Sequence, residues 1–522
     1  MQCSKRLRGG VLLPQTGNLS NERGHLTIAM KDLKERAIRG GVAKVCAQGA
    51  GFVLRVGSLM VLARLLDPKD FGMVGMVTAL TGIFSLFRDF GLSAATVQRV
   101  SVTDEQISTL FWINVLVGGI LAVILATMAP LVARFYHEPH LFRVTLVLAS
   151  SFLFNAVGVQ HSALLQRQMR FTALATIDII SLTISTVLGV SMAWLGFGYW
   201  ALVATAVTLP FVTTLCLWLT SGWIPSKPRI AVGLHSLMRF GGGLTLNSII
   251  AYVAYNFEKV LLGRFWGADA LGIYGRAYQL INIPTDNLNS AVGEVAFAAL
   301  SRVQNDANRL RNYFLKGYSF VLALTIPITI AVALFAPDLI AVLLGPKWKD
   351  AAVIFRLLAP TILVFALINP IGWLIFALGM IRRSLRVAMV FAPLIIASYV
   401  MGLRYGPKGV ALAYSSAMVL WVVPHIAWCL HGTVVSLGDI ATVVSRPFLS
   451  GLVAGGLAFG VQSAWCLSLS PLPRLLVGGT VLLVSYVGML LYVMGQKRVY
   501  VDLFRGMTKR ELDGAEELAP VS

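Results

Sequence analysis

Arg55, Lys259 and Arg276 are cations placed in stretches of the chain that otherwise carry almost no charge. A guanidinium or ammonium in hydrocarbon is costly, so such groups face a cavity or a partner. Cations of this kind can hold an anion such as a phosphate through charge-assisted hydrogen bonds. Asp178, Glu258 and Glu294 also lie within expected spans and are the candidates for ion coupling, which needs a carboxyl that can take and release a proton. Glu258 and Lys259 are neighbours, and on a helix they point about 100° apart, so they cannot simply neutralise each other. Asn247, Asn256, Gln279 and Asn282 add hydrogen-bonding groups suited to a polar lumen.

Bond-making chemistry has no comparable signal. The chain has no GxxxxGK[ST], HExxH, GxSxG or tandem CxxC pattern. Without a phosphate-binding loop, ATP is not a direct energy source. Cys3, Cys46, Cys216, Cys429 and Cys466 lack ligand spacing, and most sit in apolar stretches, where cysteine acts as a small apolar side chain. His137 and His140 flank Pro139 and read as a solvated loop, not a metal site. The expectation is no catalytic residue, no metal and no cofactor.

The elements that must position these charges are apolar helices. Hydrophobic residues make up 57% of the chain and charged ones 13%, against about a quarter charged in soluble proteins. Charge-poor segments repeatedly reach the ~20 residues that cross a bilayer. Fourteen spans are expected, at 42–63, 71–90, 109–131, 141–163, 173–195, 199–220, 243–263, 270–300, 317–344, 352–378, 384–403, 408–429, 447–466 and 473–494. The fold class is therefore an all-α polytopic membrane protein. The short alternating strands of a β-barrel are not seen. Asp67-Pro68-Lys69-Asp70, Gly196-Phe197-Gly198 and Gly345-Pro346-Lys347 punctuate the spans. The eighth span is long and polar, and Pro284 is expected to kink it. Arg88-Asp89 and Arg356 lie near span ends and read as interfacial.

The net charge of +20 is not a nucleic-acid signature, because the lysines and arginines gather in alternate loops and both tails. That asymmetry places both termini in the cytoplasm, with the basic tails near anionic membrane lipids. Residues 1–29 lack an apolar run or amphipathic period and are expected to be disordered, with Met30 reading as an alternative start.

Residues 62–83 and 262–283 look like two copies of one segment. Leu62, Arg64, Gly72, Gly75, Leu80 and Ile83 recur as Leu262, Arg264, Gly272, Gly275, Leu280 and Ile283. Ala129-Pro130 then matches Ala336-Pro337, Phe142-Arg143 matches Phe355-Arg356, and Ala201-Leu202 matches Ala411-Leu412. Both copies begin with an outward-running helix, so the repeat is parallel. The expected organisation is a tail (1–41), an N-lobe of six helices (42–220), a cytoplasmic linker (221–242) and a C-lobe of six (243–429). Two peripheral helices (430–494) and a cytoplasmic tail (495–522) follow.

The stretch Leu62-Ala63-Arg64-Leu65-Leu66-Asp67-Pro68-Lys69-Asp70-Phe71-Gly72 resembles the first-hairpin signature of bacterial polysaccharide exporters. Phe87-Arg88-Asp89-Phe90-Gly91-Leu92-Ser93 and Gly196-Phe197-Gly198-Tyr199-Trp200-Ala201-Leu202-Val203 continue the pattern, and Leu271-Gly272-Ile273-Tyr274-Gly275-Arg276-Ala277-Tyr278 repeats it. These motifs are similar to those of Wzx-type lipid-linked oligosaccharide flippases in the multidrug/oligosaccharidyl-lipid/polysaccharide transporter superfamily. More loosely they resemble peptidoglycan-precursor flippases. Phe297-Ala298-Ala299-Leu300-Ser301 departs from relatives that carry proline after the phenylalanine. The resemblance implies two six-helix lobes around a central cavity, in a bacterial inner membrane. It also implies a cargo of undecaprenyl-pyrophosphate-linked oligosaccharide, with a polysaccharide polymerase and chain-length regulator as possible partners. An ion-coupled multidrug exporter would share the architecture but favours an acidic cavity. A membrane glycosyltransferase or polymerase would need a catalytic constellation and a large external loop.

Overall fold

The computed structural model describes residues 46–87, 96, 103–227, 234–465 and 468–497. The expected disordered tail and the Arg88-Asp89 pair lie outside the described residues, as do the side chains of Asn247 and Glu294.

Among the described residues there is no strand, and the long helices number fourteen. They are α1 (Cys46–Leu65), α2 (Pro68–Ser85), α3 (Asp104–Tyr136), α4 (His140–Arg167), α5 (Phe171–Trp194) and α6 (Tyr199–Ser221). A continuous run, Leu234–Arg302, divides at Gly267, whose φ of 82° breaks the helix, into α7 (234–266) and α8 (268–302). Then come α9 (Ala307–Leu343), α10 (Lys349–Ala377), α11 (Ile381–Leu403), α12 (Gly406–Leu430), α13 (Leu437–Trp465) and α14 (Pro471–Gly488). Eleven described helices are long and apolar enough to cross a membrane.

Local chemistry explains the corners. Pro68 opens α2, where its missing N–H costs nothing, and the Asp67 N–H donates to Asp70 Oδ2 at 3.1 Å. Thr103 and Gln106 form a reciprocal capping box at the start of α3. Gly196 and Gly198 both take positive φ in the turn between α5 and α6, a conformation that L side chains rarely adopt.

Pro284 lies inside α8 with helical backbone dihedrals, and the break at Gly267 falls in the gap expected between the spans 243–263 and 270–300. One expectation needs correction. The helix expected to begin at residue 447 begins at Leu437. There the Ser436 N–H donates to Asp439, the Asp439 N–H donates to Ser436 Oγ at 3.2 Å, and the Arg311 guanidinium pairs with Asp439. These polar contacts supply the first turn that apolar patterning could not reveal.

Helices α3 to α6 pack as one bundle and α8 to α12 as a second, while α13 and α14 rest against α9. The two bundles meet chiefly where α2 lies along the run that forms α7 and α8, and α2 packs far more extensively there than on α3, α4 or α6. A continuous apolar core runs through both bundles, from Leu62, Met76 and Leu141 to Leu271, Leu358 and Ile395.

Candidate functional site

Buried positions on α1 recur as Gly51, Leu59 and Leu62, and Arg55 falls on that same helical stripe. Phe52, Val53, Val61 and Leu65 are exposed away from it. Arg55 therefore points toward the protein side of α1, where Gly51 approaches Leu182 of α5. Asp178, also on α5, lies close enough to attract it electrostatically. Both side chains remain exposed, as a water-accessible gap between the helices would allow.

The second bundle carries the other cations. Lys259 and Arg276 are eight and nine residues from the Gly267 corner on antiparallel helices, each roughly 12 Å from it at 1.5 Å per residue. The Lys259 ammonium donates to Asn256 Oδ1 at 2.6 Å, and the Asn256 amide donates to the Tyr252 carbonyl. Arg276 donates to Gln279 and lays its guanidinium 4.1 Å from the ring centre of Phe71, on α2 of the other bundle. Its described contacts are all neutral. Arg55 lies about 18 Å down α1 from the Asp67 corner, deeper than Lys259 and Arg276, and no described contact joins it to either.

Glu258 is fully buried, and neither carboxylate oxygen has a hydrogen-bond partner among the described residues. Lys259 lies close enough to attract it, and around it gathers a tyrosine cluster that no sequence spacing had pointed to. Tyr274, Tyr278 and Tyr399 all lie close enough to feel its charge. Tyr274 stacks on Tyr278 at 6.0 Å and Tyr399 packs on Tyr414 at 5.3 Å. Asn282 interacts with the Tyr278 hydroxyl. A bare carboxylate in that box is expensive, so a proton or a cation is its natural companion. The four tyrosines come from α8, α11 and α12, and no local spacing announces them.

Beneath this site, Thr285, Asn289, Thr325, Asn369 and Trp373 line a small cavity in the second bundle. The Trp373 indole N–H donates to Asn289 Oδ1 at 3.2 Å. Among the described residues, no His/Cys/Asp/Glu group could hold a metal ion.

The sequence profile of the family described as "Polysaccharide biosynthesis protein" matches residues 61–353. The chain is 27% identical over 399 residues to the lipopolysaccharide biosynthesis protein WzxC of Escherichia coli (strain K12), covering 74% of this chain and 80% of that one. It is also 27% identical over 432 residues to the teichuronic acid biosynthesis protein TuaB of Bacillus subtilis (strain 168), covering 78% and 86%. The fold is similar to that of the lipid II flippase MurJ in an inward closed conformation, with a TM-score of 0.70, 14% identity, and 89% and 100% coverage. The profile spans more than half of the sequence, and the relatives that the chain matches along most of their length are named for polysaccharide biosynthesis: the chain belongs to the polysaccharide biosynthesis protein family, as a membrane transporter of Wzx type and not an enzyme.

Proposed function

We propose that the protein is a secondary transporter that flips undecaprenyl-pyrophosphate-linked oligosaccharide units across the bacterial inner membrane by alternating access. The observation that carries this reading is Arg276. Its guanidinium spans the junction of the two bundles with only neutral described partners, so it is poised for an anion. A pyrophosphate is such an anion. Lys259 at the same depth and Arg55 opposite Asp178 extend the cationic path toward the other end. Gln279, Asn256 and Asn282 offer hydrogen bonds to sugar hydroxyls, with Asn247 assigned the same role from its position on α7.

In this reading the N-lobe (42–220) and C-lobe (243–429) rock about the site, joined by the linker 221–242. The end carrying Asp67 and Gly267 faces outward, and both termini lie in the cytoplasm, in keeping with the distribution of lysine and arginine. Glu258 takes up the coupling proton, since its burial among tyrosines makes an uncompensated charge costly. Asp178 and Glu294 are the alternative coupling carboxyls. A polymerase and a chain-length regulator receive the flipped units.

The test is export in a strain lacking the native gene. Arg276→Ala is expected to cut polymer at the cell surface by about tenfold or more with unchanged membrane abundance, because ~1.4 kcal/mol of lost anion binding is one decade. Normal export by Arg276→Ala, Lys259→Ala and Arg55→Ala alike would refute the anionic cargo.

A further inference from the structure

The repeated glycines do not share one role. At Gly72 on α2, an added methyl would lie 1.6 Å from the carbonyl oxygen of Ala268 on α8. At Gly272 on α8, it would lie 1.8 Å from the carbonyl oxygen of Pro68 on α2. The two contacts are copies of each other, since residues 68 and 72 correspond to 268 and 272 in the repeat. Each glycine thus admits the backbone of the opposite helix, and the two helices touch without intervening side chains. One turn further along, Gly75 and Gly275 differ. A methyl at Gly75 would make ordinary contact with Leu271 at 3.5 Å, and one at Gly275 would meet nothing within 4 Å.

Contacts around this crossing follow the same two-fold exchange. The Trp348 indole N–H donates to the Ala63 carbonyl at 2.7 Å, and Arg64 donates to the Val342 carbonyl at 2.8 Å, so α1 meets the end of α9. Conversely α7 meets the end of α3: Gly263 packs on Tyr136, and Arg264 lies 5.7 Å from the Phe135 ring centre. Phe135 and Val342 are themselves equivalent, at the offset that relates Ala129-Pro130 to Ala336-Pro337. One exposed ion pair, Lys347 to Asp67 at 2.8 Å, lies on the rim without a counterpart, since Gly267 stands where Asp67 does. The Arg64, Trp348 and Lys347 bonds between the bundles lie near this end; deeper, the Tyr252 hydroxyl of α7 donates to the Ala79 carbonyl of α2 at 3.2 Å. They consist of bonds to carbonyls and a solvated rim pair. At the crossing itself the two backbones meet directly, as small residues allow, and beside it Phe71 of α2 packs edge-on against the buried Trp348 at 5.3 Å.

We propose that Gly72 and Gly272 are the paired gate residues of this end, letting α2 and α8 close backbone to backbone across the repeat axis. A methyl at either one holds the end open, whereas a methyl at Gly75 or Gly275 does not. The gating role rests on the alternating-access reading; the contact itself is independent of the cargo.

The experiment uses full-length protein in membranes, with the five native cysteines replaced by serine. A single reporter, Thr78→Cys, sits about 9 Å below Gly72 along α2 and is exposed beneath the crossing. A bulky membrane-impermeant maleimide is applied to each side of the membrane in turn, with no cargo added. Gly72→Ala and Gly272→Ala are expected to speed labelling from the outer side by about tenfold, a shift of ~1.4 kcal/mol between closed and open forms. Gly75→Ala and Gly275→Ala should label at the rate of the unmodified glycines. Unchanged labelling in well-expressed Gly72→Ala and Gly272→Ala would overturn the proposal. A rise seen only from the cytoplasmic side would leave the gate standing and reverse the assigned orientation.

Should those alanine variants fail to accumulate, Asp67→Cys with Lys347→Cys gives a second measurement. A reversible bifunctional thiol reagent should clamp this end and stop export, and dithiothreitol should restore it. Undiminished export with the end clamped would overturn the proposal equally.

Discussion

The two copies of the repeated segment agree and differ in a telling way. Where they agree, at Leu62 and Leu262, Arg64 and Arg264, Gly72 and Gly272, the residues build the junction between the bundles. Where they differ inside the spans, the second copy carries more of the charge: Ser58 against Glu258, Leu59 against Lys259, Met76 against Arg276. The first copy answers with Arg55 where the second has Tyr255. Met76 is fully buried and helps fill the shared core, whereas Arg276 reaches across to Phe71. A duplicated scaffold needs its contact surface twice, so that surface stays alike. A binding site is needed once, and it grows in the positions left free.

This contrast can be broken most sharply at the charged positions. Exchanging the unlike pair, with Arg276→Met matching the first copy, should abolish most polymer export while leaving the protein in the membrane at its usual level. If export survives, the difference between the copies is incidental. At Arg55, alanine should also lower export, and lysine should retain part of it because a cation is kept while the guanidinium fork is lost. Surface polymer measured against membrane abundance separates both from misfolding.

Glu258→Gln keeps the shape of the side chain and removes its charge and titration. The variant should fold normally and lose the dependence of transport on the proton gradient, which proteoliposomes with an imposed pH difference would read. An unaltered dependence would move the coupling role to Asp178 or Glu294.

At positions where the copies agree, the expectation is symmetric loss of stability. Leu62→Ala and Leu262→Ala remove side chains of 5% and 0% exposure from the same core. Each should cost about 1–3 kcal/mol in lost contacts and cavity, without altering cargo selectivity. Thermal unfolding in detergent would show unequal losses if the two sites are not equivalent. The smallest effect is expected at the rim: Lys347→Ala should change stability by under about 1 kcal/mol, since the pair with Asp67 is solvated.

Much of this was legible before any coordinates. Helix number and fold class follow from long apolar segments, because a bilayer demands internally satisfied backbone and about 20 residues per crossing. The turn at Gly196-Phe197-Gly198 and the repeat at 62–83 could be read from residue types alone. Element ends were less legible: the first turns of α13 depend on Ser436, Asp439 and a distant Arg311, none of which is apolar.

The sequence by itself determined that the chain spans a membrane, that it is built twice over, and that a few charges must find shelter within it. Their surroundings were decided by tertiary structure. Arg276 meets Phe71, Glu258 meets tyrosines from α8 and α11, and Arg55 meets Asp178 from more than a hundred residues away. Local spacing carries no record of such contacts, because they arise from how helices cross and not from how each one forms. Gly72 and Gly272 show the boundary most clearly. Their recurrence is written in the chain, yet only the crossing of α2 and α8 reveals that a single methyl would not fit.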